Sequence, residues 1–318
     1  MAAAGCTLSI LAGAADLPFL REVVAHLRRV HRHAFTHSCL VVDTCRDGAN
    51  PPPAAQLGAL AASARELAAD GLVDSVVALD EFHSGRGDTL ARHLRPPPRG
   101  SRDFRGVPLA GWIAGLEAQA SPPEYHLHFD CDVLVHAGDD WVARGIELLA
   151  THRDWLCVAP HPGPPAADGR IRQAESYQTA DEAWLFGTFS SRRFLIARSR
   201  LAELLPLALG HASRRLRLRA LLSGHSSYLN WEMMMSRAMR GSGLVRAMLR
   251  DRSAWALHCP CHDQAFVSLL PKIVAHVERG EYPAAQAGRY DLDLDRWRQF
   301  PGCQTRSSDG CADARERR

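Results

Sequence analysis

Lysine is almost absent from this 318-residue chain: of its 38 basic residues only Lys272 is not arginine. That residue sits in Leu-Leu-Pro-Lys-Ile-Val, an apolar, helix-like stretch. A P-loop needs Gly-Lys-Ser/Thr, a protein kinase needs its strand lysine, and a pyridoxal enzyme needs a Schiff-base lysine in a pocket, so all three are excluded. Net charge is scarce too. The 38 bases against 35 acids leave +3, far from the field that grips a phosphate backbone, and nucleic acid is not an expected partner. No run approaches the roughly 18 apolar residues of a membrane span. The amino terminus, Met-Ala-Ala-Ala-Gly-Cys-Thr-Leu, has no positive region ahead of its apolar stretch, so neither a span nor a signal peptide is expected. The nine cysteines are odd in number, scattered and without a C-x-x-C pair, which reads as reduced, mostly structural thiols in a cytoplasmic protein. No internal repeat is found.

What is present is a core: 46% of residues are hydrophobic, ample for one large domain or two small ones. Thr7 to Leu11 reads as a strand, and Leu20, Val23, Val24, Leu27 and Val30 fall at helical spacing behind it. Cys39 to Val42 is a second strand ending at Asp43, followed by a loop at Asn50-Pro-Pro-Pro and a helix carrying Leu57, Leu60, Ala64 and Leu67. Asp74 to Leu79 gives a third strand, Leu109 to Gln119 a helix, and Tyr125 to Phe129 a fourth strand. This alternation predicts βαβ units and a parallel sheet. The second half is less regular, with a strand at Phe189 to Ala197 and helices near Leu201 to Leu209, Asn230 to Arg240 and Asp263 to Arg279, the last kinked or divided at Pro271. Ligands of such sheets bind beyond the carboxyl ends of the strands. The segments to watch are therefore Ala12 to Ala14, Asp43, the loop Asp80 to Asp88 and Asp130 to Asp132.

The most informative stretch is Tyr-His-Leu-His-Phe-Asp-Cys-Asp-Val-Leu-Val-His, residues 125 to 136. Two carboxylates one residue apart at a strand end repel unless a cation offsets them, and Asp130 and Asp132 are a candidate Mg²⁺ or Mn²⁺ pair that a substrate phosphate would complete. Without a metal they would be two acids capping a turn. Later in the chain Asn230-Trp-Glu-Met-Met-Met-Ser-Arg places Glu232 at a helix start, as a general base or as an acid that favours the positive helix end. Leu-His-Cys-Pro-Cys-His-Asp, residues 257 to 263, holds four zinc-type ligands, but C-x-C is not the spacing of structural zinc sites. Arg86, between glycines, and Arg192 and Arg193 are candidates for phosphate, whereas Arg214 to Arg219 reads as a solvated helical face. Trp184, Phe186 and Phe189 line an acceptor cleft or the core.

Through residues 7 to 240 this order of elements resembles the nucleotide-sugar-dependent glycosyltransferases of the GT-A fold, most like family 2. Thr7-Leu-Ser-Ile-Leu is similar to the opening strand, Leu40-Val-Val-Asp-Thr-Cys-Arg-Asp-Gly to the second, and Phe129-Asp-Cys-Asp-Val to the metal-binding D-x-D element. The resemblance implies an α/β architecture with a Rossmann-like, mostly parallel sheet. Residues 1 to 140 would form the nucleotide-sugar half and 141 to 300 the acceptor half with a helical, metal-closing C-terminal region, leaving 301 to 318 as a tail. It implies donor binding by Ala12, Gly13, Asp43, Arg86 and Asp130, and Mn²⁺ or Mg²⁺ held by Asp130 and Asp132 with a C-terminal histidine, His258 or His262. Glu232 would be the base of an inverting transfer from a nucleoside-diphosphate sugar such as a UDP-sugar to a small-molecule or glycan acceptor. The departures are informative. Ala-Gly-Ala-Ala-Asp replaces the usual Pro-x-Tyr/Asn-Glu after the first strand, Thr44 replaces a second acid, and no Gln-x-x-Arg-Trp occurs, which argues against a processive synthase. Two alternatives stand beside this reading: a nucleotidyltransferase of sugar phosphates, and a non-catalytic nucleotide- or sugar-binding protein on a transferase-like domain.

Overall fold

A computed structural model describes residues 5–47, 51–85, 87–98, 101–172 and 176–303. Its strands in chain order are β1 (Cys6–Ala12), β2 (His37–Val42), β3 (Ser75–Ala78), β4 (Leu94–Arg95), β5 (Tyr125–Asp130), β6 (Val133–Ala137), β7 (Trp155–Ala159), β8 (His161–Pro162), β9 (Gln178–Thr179), β10 (Ala183–Phe186), β11 (Arg193–Ala197), β12 (Leu207–Ala208), β13 (Val245–Leu249) and β14 (Ala254–His258). The helices are α1 (Leu20–Val30), α2 (Ala54–Ala69), α3 (Leu79–Gly85), α4 (Gly87–His93), α5 (Gly111–Leu116), α6 (Trp141–Thr151), α7 (Arg198–Leu204), α8 (Arg214–Leu222), α9 (Trp231–Ser242), α10 (Gln264–Glu278) and α11 (Leu294–Gln299).

The fold is α/β. Nine strands form one sheet in the order β3-β2-β1-β5-β11-β7-β13-β10-β9. It is parallel from β3 to β5 and between β7 and β13, and antiparallel where β11, β10 and β9 join. The halves anticipated on either side of residue 140 share this sheet, because β5 pairs directly with β11. β6 leaves it immediately after β5 and pairs antiparallel with β14 in a second sheet, β6-β14-β8. The C-terminal region expected to be helical is thus partly sheet, and His258 ends a strand.

Period-two alternation along β1 explains the layering. Leu8 and Ile10 are buried with Leu20, Val23, Val24 and Leu27 of α1 and with α2 on one face. On the other face Ser9 and Leu11 meet α5 closely: a Cβ added at Gly115 would lie 2.6 Å from Ser9 Oγ and 2.7 Å from Ser9 Cβ, so that only glycine fits there, and one at Gly111 would press on the end of the Leu11 side chain at 2.9 Å.

Several boundaries differ from the sequence reading, each for a local reason. The segment expected as an open loop is helical over 80–85 and 87–88; β3 runs straight into α3, whose first turn carries Asp80 and Glu81, acids that suit a helix start. Arg86 lies outside the described residues, as do 304–318 of the expected tail and Cys311. The helix expected at Leu201 to Leu209 is α7, ending at Leu204 because Pro206 holds Leu205 extended (φ −86°, ψ 149°). The helix expected at Leu109 to Gln119 shortens to α5, and the strand expected from Phe189 begins only at Arg193. α10 continues through Pro271, since Phe266, Leu269, Leu270, Ile273, Val274 and Val277 bury one face on both sides of it. The eight cysteines among the described residues are free, and all but Cys261 are buried.

Gly115→Ala is expected to destabilise the protein by roughly 1–3 kcal/mol, the usual cost of overpacking. Gly58→Ala, in α2 with nothing within 4 Å of an added Cβ, is expected to stabilise it by about 0.5–1 kcal/mol. Urea denaturation of the two variants reads both; equal effects would refute the close packing of α5 on β1.

Candidate active site

Backbone hydrogen bonds from three directions hold Asp130-Cys131-Asp132. Asp130 N–H donates to the Arg192 carbonyl, Cys131 N–H to Leu11 and Cys259 N–H to Asp132, each at 2.8 Å. The turn is thereby tied to the ends of β1 and β14 and to the residue before β11. Cys131 is buried at its centre, 1% exposed, while the side chains of Asp130 and Asp132 each keep 22% exposure.

A buried polar file runs beneath Asp130. His128 Nε2 lies 3.2 Å from Asp130 Oδ1, and His128 Nδ1 lies 2.8 Å from Ser9 Oγ. Ser9 Oγ is 2.9 Å from His126 Nε2, and His126 Nδ1 is 2.7 Å from Thr7 Oγ1. Arg198 closes the file, its Nη2 donating to Thr7 Oγ1 at 3.3 Å. Burial drives the pKa of His128 down to about 3 and that of His126 well below the ordinary value, so both rings are neutral at pH 7. With Asp130 ionised, and therefore only accepting, the file runs in one direction. Thr7 donates to His126, His126 to Ser9, Ser9 to His128 and His128 to Asp130.

Charge crowds the mouth of this file. Burial first, then the Asp132 charge, pushes the Asp130 pKa well up; Glu232 adds to the effect, while Arg192 and His258 oppose it. Asp16 joins the cluster. Burial first, with the Asp132 and Asp130 charges, raises its pKa to about 6 against the Gly13 N–H hydrogen bond and His262, which lower it. Its Oδ2 accepts the Gly13 N–H at 2.7 Å. The sequence reading missed Asp16 as a site residue, although Ala-Gly-Ala-Ala-Asp after the first strand was the visible signal. Ala12 and Gly13 serve as the backbone of this corner: Asp43 N–H donates to Ala12 C=O at 2.9 Å.

The C-terminal histidines divide between the acids. His258 Nε2 lies 3.4 Å from Asp132 Oδ2 and its Nδ1 donates to Asp291 Oδ1 at 2.6 Å. Burial works against protonation of His258, but Asp132 and Asp291 outweigh it and hold its pKa above the ordinary value. His262 donates to Cys259 C=O at 3.0 Å and lies 3.6 Å from Asp16 Oδ1. Glu232 stands in the first turn of α9, where Asn230 Oδ1 caps the Met233 N–H at 2.9 Å and Ser191 Oγ donates to Glu232 Oε2 at 3.3 Å.

Asp43 is engaged differently. Arg102 grips both its oxygens, at 3.0 and 3.2 Å, and also donates to the carbonyls of Cys45 and Gly106. Beyond this clamp opens a cavity of about 470 Å³ lined in part by Cys45, Arg46, Asp80, His83 and Ser101. Arg102 had no signal in the sequence. Trp184, Phe186 and Phe189 belong to the core, each 4% exposed or less, and Arg193 lies buried 3.8 Å over the Tyr290 ring, which removes it as a phosphate ligand. Arg192, by contrast, is felt electrostatically at Asp130.

No three His, Cys, Asp or Glu side chains among the described residues are arranged as a ready ligand set, at Asp130 or at residues 257–263. The chemistry at Asp130 and Asp132 nevertheless fits a hard divalent cation. Both supply carboxylate oxygens, the Asp132 charge adds to burial in raising the proton affinity of Asp130, and Asp132 Oδ1 is buried without a hydrogen-bond partner among the described residues.

No protein-family model matches the chain, and no curated protein matches it. Solved structures similar to it include the inositol-1-phosphate CTP transferase from T. maritima, at 10% identity and a TM-score of 0.42, covering 88% of this chain and 98% of that one. TarS from S. aureus has 12% identity, a TM-score of 0.40 and coverage of 88% and 41%. The mannosyltransferase PcManGT from Pyrobaculum calidifontis, in complex with GDP-Man and Mn²⁺, has 11% identity, a TM-score of 0.36 and coverage of 77% and 56%. The chain therefore spans nearly all of the first protein and less than two thirds of the other two. The α/β architecture anticipated from the sequence, with parallel strands from β3 to β5 flanked by helices, is the one the chain itself shows.

Asp16 yields a pH prediction. Its folded pKa of about 6 exceeds the roughly 3.9 of an unfolded aspartate, so the folded chain binds this proton more tightly. The associated stability is fully present below about pH 4 and is lost as pH rises through about 6. In metal-free buffer Asp16→Asn is expected to flatten that decline and to gain on the order of 1 kcal/mol at pH 7. Chemical denaturation at pH 4 and pH 7 reads the difference; an unaltered profile would mean that Asp16 is not crowded by the other acids.

Proposed function

We propose that this protein transfers a sugar from a nucleoside-diphosphate sugar to a hydroxyl acceptor, in a divalent-metal-dependent, non-processive and inverting reaction. The observation that carries the reading is the gathering of Asp16, Asp130, Asp132 and Glu232 at the carboxyl ends of β1 and β5 and the start of α9, with His258 and Arg192 among them. So many carboxylates in one half-buried place cost stability unless a cationic ligand complex offsets them. Asp130 and Asp132 would hold Mn²⁺ or Mg²⁺, with His258 beside Asp132 as the third donor. The ion would supply positive charge to the departing diphosphate.

The chain's own residues do the rest. Arg192 adds a fixed positive charge near the diphosphate. Asp43 and Arg102 frame the cavity beyond β2 and β3 as a place for the nucleoside. Glu232, oriented by Ser191, takes the proton of the acceptor hydroxyl as its oxygen bonds to the anomeric carbon and the bond to the diphosphate breaks. Nucleotidyl transfer would want a basic, glycine-rich loop after β1, and the loop here contributes an acid, Asp16. The seven buried free thiols accord with a reducing, cytoplasmic setting.

The Asp130→Asn/Asp132→Asn double variant is expected to fold and to lose Mn²⁺-dependent binding of nucleoside diphosphates in calorimetry. Wild-type affinity would remove the metal assignment. Glu232→Gln is expected to leave donor binding near wild type and to lower turnover by roughly 10²–10⁴, with product NMR on the wild type showing an anomeric configuration opposite to the donor's. Retained configuration, or an undiminished rate, would dismiss Glu232 as the base.

A further inference from the structure

We propose that α8 docks this protein on an anionic lipid surface by inserting a stripe of leucines. The inference is independent of the reading of the acidic site. Leu218, Leu221 and Leu222 are 64%, 72% and 83% exposed, and among the described residues the next most exposed large hydrophobic side chain is Tyr177 at 37%. Exposed apolar bulk is thus gathered on one helix of nine residues. At about 100° per residue the three leucines share an arc of roughly 100°. Arg217 borders that arc on one side, Arg215 and Arg219 on the other, and Arg214 precedes it. Leu216 and Ala220 fall on the opposite side of the helix. They face inward, Ala220 being buried, and with Phe104, His225 and Met233 they line a cavity of about 450 Å³. The outward leucines are therefore not needed to attach α8 to the fold.

Charge selects the occupant. No Asp or Glu occurs between Glu203 and Glu232, whereas α8 carries four arginines. None of the four makes an ion pair among the described residues, whereas Arg144 and Arg298, for example, each meet an acid three residues away. Three leucines on a single convex turn fall well short of the roughly 800 Å² per partner that a stable protein interface buries. An interfacial helix needs only an apolar stripe, flanking cations whose stems can lie along it, and negative headgroups. α8 meets those requirements with its backbone already folded, Ser213 Oγ accepting the Leu216 N–H at 3.5 Å as the cap.

The test is co-flotation of the full chain with vesicles of phosphatidylcholine alone and with about one third phosphatidylglycerol. The wild type is expected to float with the anionic vesicles and not with the neutral ones, and to be released by high salt. Leu218→Ser/Leu221→Ser/Leu222→Ser is expected to weaken the partitioning roughly tenfold or more, and Arg215→Gln/Arg217→Gln to weaken it in low salt, with melting temperatures near wild type because these side chains are exposed. Absence of flotation, equal flotation on both vesicles, or wild-type partitioning of the triple leucine variant would overturn the proposal. So would a wild-type dimer in sedimentation that the leucine variant converts to monomer, since the stripe would then serve a second copy of the chain.

Discussion

The site rests on one constraint: a carboxylate at the end of β5 must be held where two buried imidazoles end. His126 and His128 lie on β5, an interior strand of the sheet, and are both 0% exposed, and each has its ring nitrogens matched only while the file from Arg198 to Asp130 is complete. Removing the terminal acceptor would leave the His128 N–H unsatisfied in a dry layer, at a cost of about 1–3 kcal/mol. The file is built from alternate residues of β1 and β5, Thr7 and Ser9 beside His126 and His128, which the parallel register sets in line. α5 seals it from the other side with glycines at the points of closest approach. The position of Asp130 is therefore a property of the sheet and not of the turn that follows it.

Above that file the balance is electrostatic. Asp16, Asp130, Asp132 and Glu232 are brought together by elements that have other reasons to pack: β1 and β5 by their ladder, β14 by its pairing with β6, and α9 by the burial of Trp231, Met234, Met235 and Met239. Like charges held this way weaken the folded state, and burial together with the neighbouring charges raises the proton affinities of Asp16 and Asp130. Arg192 and His258 offset part of the repulsion. The remainder is an unfilled demand for positive charge, and the proposed binding of a metal-complexed ligand rests on it.

The near absence of lysine acquires a physical meaning inside the fold. Arg193 and Arg246 are each 1% exposed, the first 3.8 Å over the ring of Tyr290 and the second 4.6 Å over Phe186 while donating to the Thr188 carbonyl at 2.8 Å. Arg102 spans a carboxylate and two carbonyls at once, and Arg198 reaches both the Leu116 carbonyl and the histidine file. A planar, weakly hydrated fork can stack and donate in several directions; a lysine ammonium in these places would leave partners unmet. The same residue type serves on α8 for a different reason, its long apolar stem bordering exposed leucines.

Chain order and periodicity alone determined the strand–helix alternation, the parallel pairing of the first strands, and the placement of Asp130 and Asp132 at a strand end, because those depend on spacings of two and 3.6 residues within short windows. Local chemistry also placed Glu232 in a first helical turn behind its Asn230 cap. The tertiary structure alone decided which distant residues meet. Asp16 joins Asp132 because β1 and β5 are neighbours. Of two histidines four residues apart, His258 reaches Asp132, because β14 pairs with β6, while His262, beyond the strand, reaches Asp16. Arg102 takes Asp43 from 59 positions away. Nor could periodicity separate the outward from the inward apolar face of α8, since both are leucine-bearing and only the packing of Leu216 and Ala220 against the core distinguishes them. Contacts between residues far apart in sequence follow from strand order and register, which no local window contains.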